Sequence, residues 1–151
     1  MGRRRLAREI ALQALYVADV ARTPAEEAFA LVTRRQGDEA DAETVAFAKE
    51  LALGALAQVE ALDKTIQEQA ANWSMARMAA VDRNVLRLAA YELTARPDTP
   101  VGVVIDEAIE IVRKYSTEEA TRFINGILDS LKKLREAAPK PKGKKKSPPE
   151  D

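Results

Sequence analysis

Apolar residues return at intervals of three and four along most of the chain, and this period constrains the fold more than any other feature. Val45, Ala48, Leu51, Ala52, Ala55, Leu56, Val59 and Leu62 form the clearest run, a spacing that places them on one face of an α-helix. Strands need alternation and favour β-branched residues, whose runs are almost absent here. Gly and Pro number only 6 and 7 among 151 residues, so few positions interrupt the helical propensity of an alanine-rich sequence. The expectation is an all-α protein, long enough to bury about 68–70% of the surface its unfolded chain would expose around one core.

The punctuation divides it into about seven helices. A first helix is predicted from Arg4 to Ala21. Thr23, Pro24 and Glu26 read as N-cap, N1 and N3 of a second, reaching Arg35. The polar stretch Gln36 to Glu39 separates it from the long run above, which is expected to break once near Leu62. Asn72, Trp73 and Ser74 interrupt the pattern before Val81, Val85, Leu86, Leu88, Ala89 and Leu93 resume it, and Pro97 and Pro100 close that helix. Another is predicted over Val101 to Tyr115. Ser116 and Glu119 have capping-box spacing and open the last, through Phe123, Ile127, Leu128 and Leu131 to Glu136. Residues 1–136 then form one domain. From Ala137 the Lys/Pro-rich sequence holds nothing apolar larger than Ala, so 137–151 is expected to be a disordered tail.

Composition removes whole classes of chemistry. The chain has neither Cys nor His, which excludes a cysteine nucleophile, an imidazole relay, a disulfide framework and an ordinary zinc site. No secretory leader pattern and no run of 18 apolar residues is visible, so a soluble cytoplasmic protein is expected, with no membrane partner. Lys+Arg and Asp+Glu balance at 24 each, yet residues 1–8 carry +4 and 139–151 carry +3, leaving 9–138 at −7. An acidic body would admit a polyanion only beside a basic end.

The basic start is therefore the first candidate site. On a helix Arg4 and Arg8 share one face, while Arg5, Glu9, Leu12 and Tyr16 fall on an adjoining face over about 16 Å. Guanidinium groups grip phosphate oxygens and an aromatic ring stacks an unpaired base, a combination suited to single-stranded RNA. The competing reading is a solubilising terminus with Tyr16 in the core. Asp106, Glu107 and Glu110 lie within two turns, but they sit where the helix dipole favours carboxylates and no phosphate-cradling glycine loop accompanies them, so no metal or cofactor is expected. Gly126, in mid-helix, costs about 0.8–1.0 kcal/mol relative to Ala and calls for something close to its backbone.

Several segments together resemble the NusB family of bacterial transcription antitermination factors. Arg4, Arg5, Ala7, Arg8, Glu9, Ala11, Gln13, Ala14, Leu15 and Tyr16 look like its arginine-rich start and R-E-x-A-x-Q-A-L-Y pattern. Trp73, Asp82-Arg83, Leu86-Arg87 and Tyr91-Glu92-Leu93 look like its central segment. Ile105, Glu107, Ala108, Ile109 and Glu110, then Phe123-Ile124-Asn125-Gly126-Ile127-Leu128-Asp129, look like its I-x-E-A-x-E and F-V-N-G-V-L-D pieces. The ordered set covers residues 4–133. Asp106 departs from the Asn of many relatives, and the lysine tail is outside the pattern.

The resemblance implies two packed helical halves with the N-terminal helix at their junction. It also implies a non-enzymatic protein that binds boxA RNA of ribosomal RNA leaders with the ribosomal protein NusE, within the RNA polymerase antitermination complex. Arg3, Arg4, Arg5, Arg8, Gln13 and Tyr16 would hold RNA, with Arg122 and Phe123 at the same edge. Asp82 and Arg83 would face the protein partner. Two alternatives stay open: a module like the N-terminal part of ribosomal RNA cytosine methyltransferases, whose α/β domain and cysteine nucleophile this sequence lacks, and a protein-only adaptor or homodimer.

Overall fold

The computed structural model describes residues 2–36 and 39–137. Seven α-helices are present among them: α1 (Arg3–Val20), α2 (Ala25–Gln36), α3 (Ala42–Ala57), α4 (Val59–Gln69), α5 (Ala80–Ala95), α6 (Val101–Tyr115) and α7 (Glu118–Ala137), with a 3-10 turn at Met75–Arg77. Helices α1 to α3 pack into one half and α4 to α7 into the other. The halves meet where α1 and α3 lie against α5. The all-helical architecture in two halves is as expected, and the junction is shared: α1 lies there together with α5, the helix most completely enclosed. The tail expectation falls outside the described residues, apart from Ala137, which ends α7.

α1 shows why its sequence folds as it does. Ala7, Ile10, Ala11, Leu12, Ala14 and Leu15 are buried on several sides, and the small alanines let α3 approach with its own Ala48, Ala52 and Ala55. The helix stops where Arg22 adopts φ 54°, the left-handed position that glycine ordinarily fills. Its first turn holds three arginines and no acid, an arrangement the helix dipole disfavours. Carboxylates from α6 and from the start of α3 offset it.

Three local expectations are corrected. The long third helix breaks at Gln58, whose φ −117° and ψ 20° leave the helical region, and not near Leu62; the turn lets Leu62 and Ile66 face the core. Thr23 and Glu26 form no capping box: Pro24 O accepts from Ala28 N, while Glu26 reaches Lys49 at 3.7 Å. At α7 the cap is Thr117, whose Oγ1 accepts from Ala120 N at 3.0 Å. Ser116 instead donates to Asp82 across the fold.

The glycine expectation is also overturned. Nothing lies within 4 Å of where a Gly126 side chain would start. The crowded glycine is Gly54, where a Cβ would collide with the Tyr91 ring and hydroxyl, so α3 and α5 could not pack as they do around an alanine there.

Candidate nucleic-acid interface

The arginines of the first turns have separate fates. Arg3 is exposed and bonded to Asp41 at 3.0 Å and Glu43 at 3.3 Å. Arg4 is exposed with its guanidinium 4.1 Å from the Phe47 ring centroid, and it has no carboxylate within ion-pair distance among the described residues. Arg5 is half-buried and donates twice to Glu107, at 2.7 and 2.9 Å, which holds the Glu107 carboxyl below its usual range. Arg8 corrects the reading of a uniformly displayed arm. It is only 5% exposed and grips Glu92 through two bonds of 2.8 and 2.7 Å. A charge already desolvated and paired in this way is not offered to a ligand.

A shallow groove runs beside the free arginine, lined by Gly2, Arg4, Phe47, Glu50 and Arg96. Phe47 lies under three guanidinium groups, those of Arg4, of Arg96 at 4.9 Å and, more distantly, of the buried Arg8 at 5.8 Å, a cation–π arrangement in which Arg4 is the exposed member.

Farther along α1, Gln13 and Tyr16 are exposed. Tyr16 borders a mainly apolar groove with Leu12, Val17, Val32, Val81 and Tyr115, and Arg35 stands at its edge. The two tyrosines are 41% and 42% exposed. Tyr115 is oriented by Glu9, whose Oε1 accepts from the Tyr115 hydroxyl at 3.2 Å and from Lys114 Nζ at 2.9 Å. The Lys114 ammonium lies 5.3 Å from the Tyr115 ring centroid. Sequence reasoning found Tyr16 and missed Tyr115, Lys114 and Arg35, because nothing local links residue 115 to residue 16. The one signal was Glu9, an acid at the start of the helix's apolar stretch.

Arg122 is exposed on α7, and Phe123 is half-buried beneath Trp73, their ring centroids 4.4 Å apart. Tyr115 and Phe123, one from each aromatic pair, lie on either side of the α6–α7 turn in the chain. Asp82 and Arg83, expected to face the protein partner, both bond to other groups of the fold. Asp82 is buried and accepts from Ser116 Oγ at 2.8 Å. Arg83 donates to Asp19 at 2.7 Å and to the carbonyls of Met75 and Met78. Asn84 and Arg87 also donate to Asp19; burial pushes the Asp19 carboxyl up, but these donors outweigh it and hold it below the ordinary value. Of the acidic trio on α6, Glu107 pairs with Arg5 and Glu110 with Arg113, and among the described residues no group of three or more metal-ligating side chains occurs. No helix of the described residues is long and apolar enough to cross a membrane.

Comparison with known proteins points the same way as the helix order. The sequence profile of the NusB family matches residues 5–133. The transcription antitermination protein NusB of Elusimicrobium minutum is 49% identical over 136 residues, covering 89% of this chain and 96% of the relative. That of Geotalea uraniireducens is 43% identical over 140 residues, covering 89% and 97%. Among solved structures, T. maritima NusB superposes with a TM-score of 0.79 at 36% identity, covering 86% of this chain and 90% of that one. A chain in the crystal structure of antitermination factors NusB and NusE in complex with dsRNA gives 0.81 at 30% identity, covering 87% and 97%. Because the match takes in both helical halves and the arginine-bearing helix between them, the chain belongs to the NusB family.

Proposed function

We propose that this chain is a non-enzymatic transcription antitermination protein of the cytoplasm that binds boxA-type RNA of ribosomal RNA leaders together with NusE. Two relatives are named transcription antitermination proteins, and one solved relative is in complex with NusE and dsRNA. The observation that carries the site is the open groove between Tyr16 and Tyr115, two half-exposed rings held on separate helices with Gln13 and Arg35 at the margin. Such a slot takes an unpaired base by stacking. Arg4 supplies a free phosphate contact, and Arg3 and Arg5 supply guanidinium edges not used by their carboxylates. Arg122 and Phe123 extend the surface beyond the α6–α7 turn. Arg8 acts through the fold, by seating α1 on α5. Asp82 and Arg83 likewise serve a partner surface indirectly, by fixing the α6–α7 turn and the Met75–Met78 segment.

Residues 1–136 form the working domain in this reading, and the lysine-rich 137–151 segment adds salt-sensitive attraction that is blind to sequence. With three phosphate contacts at the arm, the log–log salt slope on single-stranded RNA is about −2.1. The test is fluorescence anisotropy with labelled boxA-like and scrambled RNA, with and without NusE. Tighter binding to the boxA-like strand, strengthened by NusE, is expected. Equal or absent binding to both strands overturns the reading.

A further inference from the structure

The described residue with the most conspicuous exposure is outside the arginine arm. Trp73 is 54% exposed, more than any other large apolar side chain in the described part of the fold. Its exposure is built and not the result of a slack loop. The Gln67 side-chain amide donates to the carbonyls of Ala70 and Trp73, and its oxygen accepts from Met75 N. Trp73 N itself donates to Ala70 O at 2.9 Å. On one side the indole rests on Phe123. A large ring thus projects from a fixed backbone, with one side on Phe123 and about half of its surface in water.

Its surroundings define the chemistry. Arg77 shares a groove with Trp73, Gln67 and Asn72, and Arg122 stands beside Phe123 in sequence. Both arginines are exposed, and neither has a carboxylate within ion-pair distance among the described residues. One turn on from Phe123, Asn125 and Gly126 are exposed. Gly126 weakens α7, and among the described residues nothing lies within 4 Å of where its side chain would start, so its backbone is open to solvent. Polar and cationic neighbours around one aromatic platform fit a nucleic-acid strand better than a protein, whose interface centre would be apolar and poor in charge.

We propose that Trp73, seated on Phe123, stacks an unpaired base of the bound RNA, with Arg77 and Arg122 holding the flanking phosphates and Gly126 leaving room for the strand to cross α7. This rests on the RNA-binding reading above and extends its footprint past the tyrosine groove. Trp73 is the chain's single tryptophan, so its emission reports on the site in the intact protein. A boxA-like single-stranded RNA is titrated while Trp73 emission and the anisotropy of the labelled RNA are followed together. The expected result is quenching that saturates with the anisotropy. Trp73→Ala should weaken binding roughly tenfold, Trp73→Phe should recover most of it, and Gly126→Ala should raise Tm while lowering affinity several-fold, a split that Ser130→Ala does not show. Saturating anisotropy with unchanged Trp73 emission and wild-type affinity for Trp73→Ala overturns the platform and leaves the RNA reading standing. Anisotropy that never rises overturns both. A blue shift of Trp73 on adding NusE, with no response to RNA, assigns the surface to a protein and also overturns it.

Discussion

Arg4 and Arg8 are the same residue type one turn apart on one helix, and they do opposite work. Arg4 lies on the outer turn of α1, over Phe47, with its charge open to solvent. Arg8 lies on the inner stretch, sealed against Glu92. The inner stretch continues with Glu9 bonded to Lys114 and Tyr115, and Asp19 bonded to Arg83, Asn84 and Arg87. Its charges stitch the N-terminal half to the C-terminal half. In the outer turn only Arg5 has a half-buried partner; Arg4 has none within ion-pair distance among the described residues, and the acids beside Arg3 are exposed, where salt and water compete. Charge on α1 is structural where α5 can reach it and available to a ligand where α5 has ended.

The sharpest way to break this contrast is to strand the inner pair. Glu92→Ala leaves the Arg8 charge buried and unpaired and should cost roughly 3–5 kcal/mol in urea unfolding, while Arg8→Met with Glu92→Leu should recover most of that loss. An unchanged denaturation midpoint for Glu92→Ala would erase the distinction between the two regions. Next, Tyr16→Ala should lower boxA-RNA affinity by about 1–3 kcal/mol with the melting temperature nearly unmoved, the reverse of the Glu92 phenotype. Arg4→Ala should flatten the salt slope by about 0.7 and alter stability by less than about 0.5 kcal/mol; calorimetry beside salt-dependent anisotropy checks both.

The smallest effect concerns Arg3. The hydrogen bonds from Thr44 and the Arg3 guanidinium hold the Asp41 carboxyl at about 2, below its ordinary 3.8. A carboxyl depressed in the folded state stabilises fully above the unfolded value, so this contribution should be intact above about pH 4 and disappear as pH falls toward 2. Melts of the wild type should lose Tm across that window more steeply than melts of Asp41→Asn, which keeps a capping oxygen without the charge. Parallel curves would show that the Asp41 charge, bonded to Thr44 and Arg3, adds nothing to stability.

Much of the helical layout was legible because a 3.6-residue period and proline stops are local signals. The break at Gln58 was not, since neither glycine nor proline marks it. The α7 cap was placed one residue early because Ser116 and Glu119 have capping-box spacing while Thr117 has only Ala120 at N3, and a distant acid, Asp82, engages Ser116 instead. At the candidate site, Tyr16 was found from its helical phase with Arg5, but Tyr115 could be found only after the chain had folded. Telling Arg8 from Arg4 was beyond sequence reading for the same reason: its partner is 84 residues away. Asp82 and Arg83 were read as partner-facing on resemblance alone, and their bonds to Ser116 and Asp19 join residues too far apart in the chain to be read from it.

The Arg8–Glu92 clasp also bears on how the polypeptide is made. While a ribosome has delivered only α1 through α4, the guanidinium meant for the interior has no carboxylate to neutralise it, and burying it alone is prohibitively unfavourable. Without α5 that guanidinium stays in water on the uncovered face of α1, and the clasp can join the two halves only after α5 has emerged.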